Sequence, residues 1–290
     1  MTQNTDIFQL GSLFSSDNNT TDTSEIGYPK KLYGDRTLLF GRMGNYLKLL
    51  SDSKLYLYDE SGAVVYQSPH SFTNPVSVSS EKRMLTYDRG GNSFRVDSSS
   101  ATLVEREMLN SIWVGDIAEN GSVAIATAEE RYAGSVTVFD STGKQIYKWY
   151  SSGMQITGLA FYPNGNGVAV SCISAENGTF KSRIYYLDFS ITEEDKIAKS
   201  DFYDTMILSM DYKSNGQLMV IGDNLAAVTN NNGEVAAQYP FSRTLQKFSN
   251  SPSGNAVLLL DSYGNNSSGT LVVPVSYTHL DVYKRQAQNR

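Results

Sequence analysis

The sequence predicts an all-β protein of the β-propeller class, and three observations lead to this prediction. Short apolar and β-branched stretches alternate with polar turns along most of the 290 residues, which is the pattern of many short strands. Asn-Gly and Asp-x-x-Gly turns recur between them, because Asn, Asp and Gly accept the positive φ of tight hairpins. The turn aspartates Asp59 and Asp140 lie 81 residues apart, which corresponds to two units of about 40 residues.

The stretch Ile112–Tyr150 is the clearest of these units and is interpreted as one blade. Its four predicted strands are Ile112–Asp116, Val123–Thr127, Val136–Phe139 and Gln145–Tyr150. Asn120-Gly121 forms the first turn, and Asp140 opens the second. Four strands over about 40 residues is the size of a propeller blade.

Two similar units precede this blade. The strands predicted for blade one are Leu38–Phe40, Leu47–Leu50, Lys54–Tyr58 and Ala63–Gln67. The strands predicted for blade two are Pro75–Val78, Arg83–Tyr87, Ser93–Val96 and Thr102–Arg106. Turns at Asp59–Gly62 and Asp88–Gly91 support both units, since each combines an aspartate with glycine.

Three further units follow it. Blade four is predicted to contain Ile156–Tyr162, Val168–Ile173 and Ser182–Phe189, with Glu193–Ser200 interpreted as a helical turn or a charged loop. Blade five is predicted to contain Ile207–Tyr212, Leu218–Ile221, Ala226–Thr229 and Val235–Tyr239. Blade six has a turn at Ser253-Gly254 and a loop at Tyr263–Gly269, and its predicted strands are Leu245–Ser249, Ala256–Leu260 and Thr270–Val273.

The chain is therefore expected to contain about six four-stranded blades, the last without its outer strand. Propellers join their first and last blades, which hides the edges of the sheets. We expect an incomplete part of a seven- or eight-bladed ring. A β-sandwich with fortuitous turn spacing is the alternative, and the regular repetition of paired turns favours the propeller.

Three regions are predicted along the chain: a polar disordered linker at 1–27, the propeller at 28–274, and a foreign segment at 275–290. Val275–Gln286 (VSYTHLDVYKRQ) resembles translated sequencing-adaptor DNA, a transposase mosaic end joined to its own reverse complement. Such segments are excluded from fold reasoning. This exclusion removes His279, and residues 1–274 then hold 21 basic and 29 acidic residues, a net charge of −8 against −6 for the whole chain.

Composition and charge exclude some classes of function. The acidic balance argues against a dedicated nucleic-acid binder, which needs a cationic face. The single cysteine, Cys172, cannot form an intrachain disulfide and is predicted to be buried within an apolar strand. Residues 1–27 contain no apolar run of the roughly 20 residues that a membrane-spanning helix requires.

Catalytic and metal-binding motifs are weak throughout. His70 is the one histidine before the terminal segment, and its surroundings offer no nucleophile elbow, so a loop position between blades is the preferred interpretation. There is no Cys/His cluster of the kind that binds zinc. The turn acids number one or two per loop, which suits hairpin turns better than calcium loops. We therefore predict no catalytic residue, no metal ligand and no cofactor.

Three residues are weak candidates for binding: Arg89, Trp149 and Tyr185. Arg89 lies in a turn, where its cation either faces a binding surface or pairs with a neighbouring acid. Trp149 and Tyr185, like Tyr147, Tyr150 and Tyr186, either stack on sugars or peptides or pack between adjacent blades, and packing is the preferred interpretation.

A family resemblance appears at NPVSVSSEKRMLTYDRGGNSFRV (74–96), with KLYLYDESGAVVYQ before it and GDIAENGSVAIAT and VTVFDSTGKQIYKW after it. Together these stretches resemble a domain of unknown function in uncharacterised Clostridia-type β-propeller proteins with WD40- or quinoprotein-like repeats. The resemblance covers Tyr28–Val273. It implies a propeller outside the cell that follows one membrane helix, which this sequence lacks. It implies no functional residue, since the family has no assigned activity.

The expected function is a non-enzymatic binding or scaffold propeller. We expect it to be extracytoplasmic, in a Gram-positive-type bacterium, and anchored to the membrane through a missing N-terminal helix. Its partner is expected to be a protein, a peptide or a glycan. Two alternatives stay open: a hydrolase or lyase that uses carboxylates and tyrosines on glycans or peptides, and a cytoplasmic interaction module.

Overall fold

The computed structural model describes residues 29, 36–176, 178–191, 193–250, 256–261 and 269–273. These residues form six antiparallel sheets, five of four strands and one of three. In every sheet the strands follow one another in chain order, so that each sheet is a meander. This arrangement confirms the all-β prediction and the six units; the predicted linker, the terminal segment 275–290 with His279, and the turn Ser253-Gly254 lie outside the described residues.

The strands are numbered in chain order and grouped into blades. Blade one contains β1 (Thr37–Met43), β2 (Tyr46–Ser51), β3 (Lys54–Tyr58) and β4 (Val64–Pro69). Blade two contains β5 (Pro75–Ser79), β6 (Met84–Asp88), β7 (Ser93–Asp97) and β8 (Thr102–Glu107). Blade three contains β9 (Ile112–Ile117), β10 (Val123–Thr127), β11 (Gly134–Phe139) and β12 (Gln145–Ser151).

The remaining blades continue the same order. Blade four contains β13 (Gln155–Phe161), β14 (Gly167–Glu176), β15 (Thr179–Asp188) and β16 (Ala198–Tyr203). Blade five contains β17 (Ile207–Tyr212), β18 (Leu218–Gly222), β19 (Leu225–Thr229) and β20 (Val235–Pro240). Blade six contains β21 (Leu245–Asn250), β22 (Ala256–Asp261) and β23 (Gly269–Val272).

The sequence interpretation of Glu193–Ser200 was wrong in its second half. Only Glu194–Lys196 form a short 3₁₀ helix, and the chain then enters β16 at Ala198. The polar start of β16 hides the strand in the sequence. Its pairing with β15, in which Arg183 lies opposite Asp201, makes it the fourth strand of blade four.

The turns that join the third and fourth strands have the geometry that their sequences predict. At Asp140 the backbone N–H of Gly143 donates to the Asp140 carbonyl oxygen at 2.9 Å. Gly143 has φ +84°, a conformation that residues with a Cβ rarely adopt. Asp59 and Gly62 form the same turn in blade one, where Gly62 has φ +78°.

The chain divides into two compact units, Met1–Ile112 and Trp113–Arg290. In the first unit, a buried apolar cluster around Leu55 and Met84 lies between blades one and two. In the second, separate clusters join blade three to four, four to five, and five to six. Middle strands such as β10 and β18 are buried along their whole length, and the clusters between blades four and five and between blades five and six cover both faces of β18.

The first and fourth strands of the blades differ in their surroundings. First strands contact one another within each unit, β1 with β5 in the first and β13 with β17 in the second. Fourth strands such as β8 and β20 are largely exposed. Among the described residues, no helix has the length and apolar character needed to cross a membrane.

Candidate functional site

The turn aspartates use their carboxylates within their own hairpins. One carboxylate oxygen of Asp140 accepts hydrogen bonds from the Thr142 N–H at 2.9 Å, the Thr142 hydroxyl at 2.6 Å and the Lys144 N–H at 3.0 Å. These bonds, above all the one from the Thr142 hydroxyl, lower the pKa of Asp140. Asp59 makes the equivalent bonds to Ser61 and Ala63. Within the described residues, no three His, Cys, Asp or Glu side chains are grouped to hold a metal ion.

Arg89 lies in the first unit and is exposed on the turn after β6. Its backbone N–H donates to the Asn74 carbonyl oxygen at 3.0 Å. The carboxylate of the preceding residue, Asp88, accepts hydrogen bonds from the backbone N–H groups of Thr73 and Asn74 instead. Among the described residues, Arg89 has no ion pair, so its cation faces solvent.

Trp149 and Tyr185 are brought together by the packing of blade three on blade four. Their ring centroids lie 4.9 Å apart. Trp149 is 7% exposed and belongs to the apolar cluster between these blades, and Tyr185 packs against the same cluster. Trp149 therefore contributes mainly to the contact between blades, whereas Tyr185 is only partly buried.

The other aromatic candidates have different surroundings. Tyr147 packs against Phe189, with ring centroids 5.1 Å apart. Tyr186 is 2% exposed, and its hydroxyl donates to the Thr229 hydroxyl at 2.6 Å. Tyr150, in contrast, is exposed and lies 4.6 Å from the ring of Tyr132.

His70 and Cys172 are held by local contacts. His70 lies between β4 and β5, where its Nε2 contacts the Ser51 carbonyl oxygen at 3.0 Å and its Nδ1 accepts the Phe72 N–H at 3.3 Å. Partial burial lowers the pKa of His70, so the neutral ring with the proton on Nε2 fits both contacts. Cys172 is fully buried, and burial raises the pKa of its thiol to about 12.

A row of cations and tyrosines lies on blade four, and Tyr185 is its one member that the sequence indicated as a binding candidate. It consists of Lys181, Arg183 and Tyr185 on β15, and Tyr203, Asp201 and Lys199 opposite them on β16. We call these six residues the blade-four strip. Alternation along each strand places them on one face, while the intervening Ser182, Ile184 and Tyr186 are buried on the other.

Contacts within the blade-four strip are continuous. The guanidinium of Arg183 donates to both carboxylate oxygens of Asp201, at 2.5 and 2.7 Å. The ammonium of Lys181 lies 3.5 Å from the same carboxylate and 5.3 Å from the Tyr203 ring centroid. The ammonium of Lys199 lies 5.5 Å from the Tyr185 ring centroid. Cations therefore alternate with aromatic rings along the strip, in cation–π geometry.

The strip carries more positive than negative charge. Its three cations face a single carboxylate, Asp201, whose pKa is lowered chiefly by its hydrogen bond from Arg183. The strip therefore keeps a net charge of +2 at neutral pH, on a chain whose formal charge is −6. The sequence carries one signal for the strip, because charged or aromatic residues occupy every second position of KSRIYY (181–186) and of AKSDFY (198–203). This signal could not be interpreted without the pairing of β16 with β15, which brings the two segments side by side.

A second group of interest lies where the first strands of blades three, four and five end. Asp116 on β9 is partly buried and accepts the backbone N–H of Phe161 on β13 at 2.9 Å. Burial raises the pKa of Asp116 to about 6, and the charge of Asp211 on β17 adds to this rise. A carboxyl group with such a shift is a recognised mark of a functional site, although structural carboxyls show it as well.

A small cleft lies between blades five and six. Its volume is about 350 Å³, and its lining includes Leu208, Asp223, Phe241 and Arg243. Asn224, which also lines it, donates to the carbonyl oxygen of Asp204 at 2.5 Å. Asp204 directly follows the last residue of the blade-four strip, so the backbone at the end of the strip is fixed to the rim of this cleft.

Repeated four-stranded meanders that pack face to face define this chain as a β-propeller. Solved propellers share the fold. The chain superposes on the Dos1 propeller with a TM-score of 0.57 and 15% identity, covering 79% of this chain and 64% of that one. It therefore spans less than two thirds of the Dos1 chain.

Two further solved structures have the same propeller fold. The Cps50 (Swd1) propeller domain of Myceliophteria thermophila gives a TM-score of 0.58 at 11% identity, covering 83% of this chain and 86% of that one. The Pan2 WD40 domain of Neurospora crassa gives 0.54 at 12%, covering 76% and 70%. At these identities the likeness shows the fold alone.

The family follows from the sequence match. The chain belongs to the family of unknown function DUF5711, whose model matches residues 33–274. No curated protein matches the chain.

Proposed function

We propose that this chain is a non-enzymatic binding propeller that holds its partner on the blade-four strip. The observation that supports this proposal is the row of cations and tyrosines that β15 and β16 present on one face. On β16, the outer strand of this row, Lys199 and Tyr203 are exposed at the two ends, and Tyr203 keeps 66% of its surface accessible.

The strip has two properties of a binding surface. Arginine and tyrosine are enriched at protein interfaces, where they supply contact area at low conformational cost. The strip also lies on paired strands, and the Arg183–Asp201 contact fixes the central side chains before a partner arrives. A preorganised surface loses less entropy on binding.

Selection from a random peptide library displayed on phage tests this proposal. The whole chain serves as bait, and enriched peptides are measured against a double variant, Lys199→Glu with Tyr203→Ala. Both residues are exposed, so the fold is expected to persist. A matched control, Lys247→Glu with Tyr132→Ala, makes the same chemical change at other exposed positions. Enriched peptides should lose binding to the first variant only. Equal binding to both variants, or no enrichment at all, would overturn the proposal.

The proposed setting is the outside of a Gram-positive-type bacterium, with a membrane helix before the propeller. The supporting observation is the resemblance to Clostridia-type propeller proteins, together with membership of the family. A long sequencing read across the source locus tests this idea and the adaptor origin of Val275–Gln286. An apolar helix encoded upstream and further strands after Val273 would support both. A genomic VSYTHLDVYKRQ would overturn the adaptor interpretation.

A carboxylate-based hydrolase or lyase is the second candidate, and the Asp116 site favours it. A carboxyl group with a pKa of about 6 is suited to general acid or base catalysis near neutral pH. A panel of glycan and peptide substrates would separate the two candidates. Turnover that disappears in Asp116→Asn, while that variant remains folded, would overturn the non-enzymatic proposal.

A further inference from the structure

We propose that the partner held by the blade-four strip is an extended acidic peptide segment with two carboxylates four residues apart. The inference rests on the proposed function, because it names the class of ligand for the same surface. It follows from the positions of Lys181 and Lys199, from the net positive charge of the strip and from the contact of blade five with the backbone of β16.

The spacing comes from the strand register. Lys181 lies on β15 opposite Tyr203, and Lys199 lies on β16 opposite Tyr185, four residues further along β15. Four residues of a strand span about 14 Å. In an extended peptide, residues i and i+4 point to the same side and span the same distance, so each carboxylate reaches one lysine.

The centre of the strip is best matched by a neutral residue at position i+2 of the peptide. Arg183 and Asp201 lie between the two lysines and already satisfy each other through two hydrogen bonds. A third carboxylate at position i+2 would face Asp201 and be repelled. Lys199 forms no ion pair with any described residue, and Lys181 shares the carboxylate of Asp201 with Arg183. Lys181 and Arg183 together bring one positive charge more than Asp201 neutralises, so the strip has one uncompensated positive charge at the Lys181 end and one at Lys199.

The peptide is expected to lie across the face of the strip and not to extend the sheet. A Cβ atom on Gly233 of blade five would come within 2.5 Å of the Lys199 carbonyl oxygen. The Ser200 hydroxyl also donates to the Gly233 carbonyl oxygen at 2.8 Å. This turn of blade five therefore lies against the backbone of β16 at Lys199, and a fifth strand that paired there would have to displace it.

The charge of the strip favours a short acidic peptide over a nucleic acid. A surplus of two positive charges can be met by two carboxylates, and aromatic rings beside both lysines suit peptide side chains as well as bases. The rest of the chain is acidic, however, and would repel a polyanion.

Fluorescence anisotropy with a labelled peptide tests the inference. The probe is Gly-Ser-Glu-Thr-Ser-Thr-Glu-Ser-Gly, and the comparison peptides are the same sequence with both Glu changed to Gln and one with the two Glu adjacent. The full chain is expected to bind the probe at least about tenfold more tightly than either comparison peptide. Its affinity should fall as salt is added, since the contacts are ionic and partly exposed.

Two variants locate the contact. Lys199→Glu should weaken binding of the probe by about tenfold or more, and Lys181→Gln, which keeps a polar group beside Asp201, should weaken it less. Lys247→Glu is the control and should leave the affinity unchanged. Circular dichroism establishes that each variant is folded.

The outcomes separate this inference from the proposed function. Library peptides that depend on the strip but are neutral or basic would leave the proposed function standing and overturn the acidic ligand. Tighter binding of single-stranded DNA than of the acidic probe would do the same. Acidic peptides that bind equally to the wild type and to Lys199→Glu would overturn the acidic ligand, and the proposed function falls as well if the library peptides bind equally to both double variants.

Discussion

At the scale of the residue, two aspartates of blade three, Asp116 and Asp140, have pKa values that are shifted in opposite directions. Asp140 lies on an exposed turn, where three hydrogen bonds from its own hairpin lower its pKa. Asp116 lies on the first strand with one neighbouring-blade N–H as partner, and burial raises its pKa to about 6. The Asp140 carboxylate stabilises its hairpin, whereas burial of Asp116 disfavours the charged form of its carboxyl group.

Asp116→Asn is expected to raise thermal stability at pH 8. The pKa of Asp116 rises from 3.8 to about 6 on folding. Between pH 3.8 and about 6, this carboxyl group is therefore mainly protonated in the folded chain and mainly ionised in the unfolded chain. Stability therefore falls as the pH rises through this window, and the cost persists above it. Asparagine removes the charge and still accepts the Phe161 N–H.

The melting temperature, measured from pH 4 to pH 8, checks this expectation. The gain at pH 8 corresponds to at most about 3 kcal/mol, reduced by hydration of the partly exposed group, and it should shrink towards pH 4. Glu105→Gln, on an exposed strand, is the control for the change of a carboxyl group to an amide. A constant difference between wild type and Asp116→Asn at every pH would contradict the assignment.

Asp140→Ala is expected to act in the opposite direction. It removes the acceptor for the Thr142 and Lys144 N–H groups, so the melting temperature should drop by a few degrees at neutral pH. Because the folded pKa of Asp140 is lowered, its contribution is present above the unfolded pKa and is lost as the pH falls through the folded pKa. Glu130→Ala, in an exposed loop, is the control. An equal melting temperature for Asp140→Ala and wild type at pH 7 would show that the turn does not depend on this carboxylate.

At the scale of the element, the strands of one blade are stabilised by side chains of the next. Trp149 on β12 fills space against Tyr185 on β15, and Phe161 on β13 donates its N–H to Asp116 on β9. Each sheet is a local meander, but its apolar faces are covered only by a neighbouring sheet. The contact between blades is therefore the unit that sets the stability of a strand.

Trp149→Ala is expected to lower the free energy of unfolding by about 3 to 5 kcal/mol, since it leaves a cavity in the cluster between blades three and four. Trp149→Phe should cost much less. It keeps an aromatic ring against Tyr185 and removes an indole N–H that has no hydrogen-bond partner among the described residues.

Denaturant unfolding measures both changes. Ile146→Ala, on the exposed face of the same strand, is the control and should change the free energy of unfolding by less than about 0.5 kcal/mol. Similar losses for Trp149→Ala and Ile146→Ala would mean that Trp149 does not contribute to the packing of the two blades.

At the scale of the whole molecule, the apolar core of the second unit is divided into separate clusters. Ile156 belongs to the cluster between blades three and four, and Ile221 to the one between blades five and six. Repeat folds of this kind draw their stability from contacts between nearest neighbours. Changes in different clusters should therefore be nearly independent.

Ile156→Val and Ile221→Val test this independence. Each is expected to cost about 0.5 to 1.5 kcal/mol, and the double variant should lose the sum within about 0.5 kcal/mol. Ile156→Val with Val170→Ala, both in one cluster, should depart from the sum. A large interaction between the two isoleucines in a double-mutant cycle would contradict independent clusters.

Most of the fold could be predicted because its signals are local. The strands Lys54–Tyr58, Val123–Thr127 and Ile207–Tyr212 end where the sequence predicted. Alternating apolar residues and Asn, Asp and Gly turns act over a few residues, so they are visible in the chain itself. Strand β16 was missed because its pairing with β15, and not its composition, makes it a strand.

The sequence by itself determined the turns, the short strands and their repetition in units of about 40 residues, since these depend on backbone conformation and local pairing. Only the tertiary structure decided the role of each side chain. Trp149, a binding candidate in the sequence, lies between blades, whereas Lys181, Arg183 and Lys199 form one charged strip. The physical reason is that the burial of a side chain and the charges around it depend on which strands lie side by side. The pairing of strands that are distant in sequence cannot be deduced from the residues of one segment.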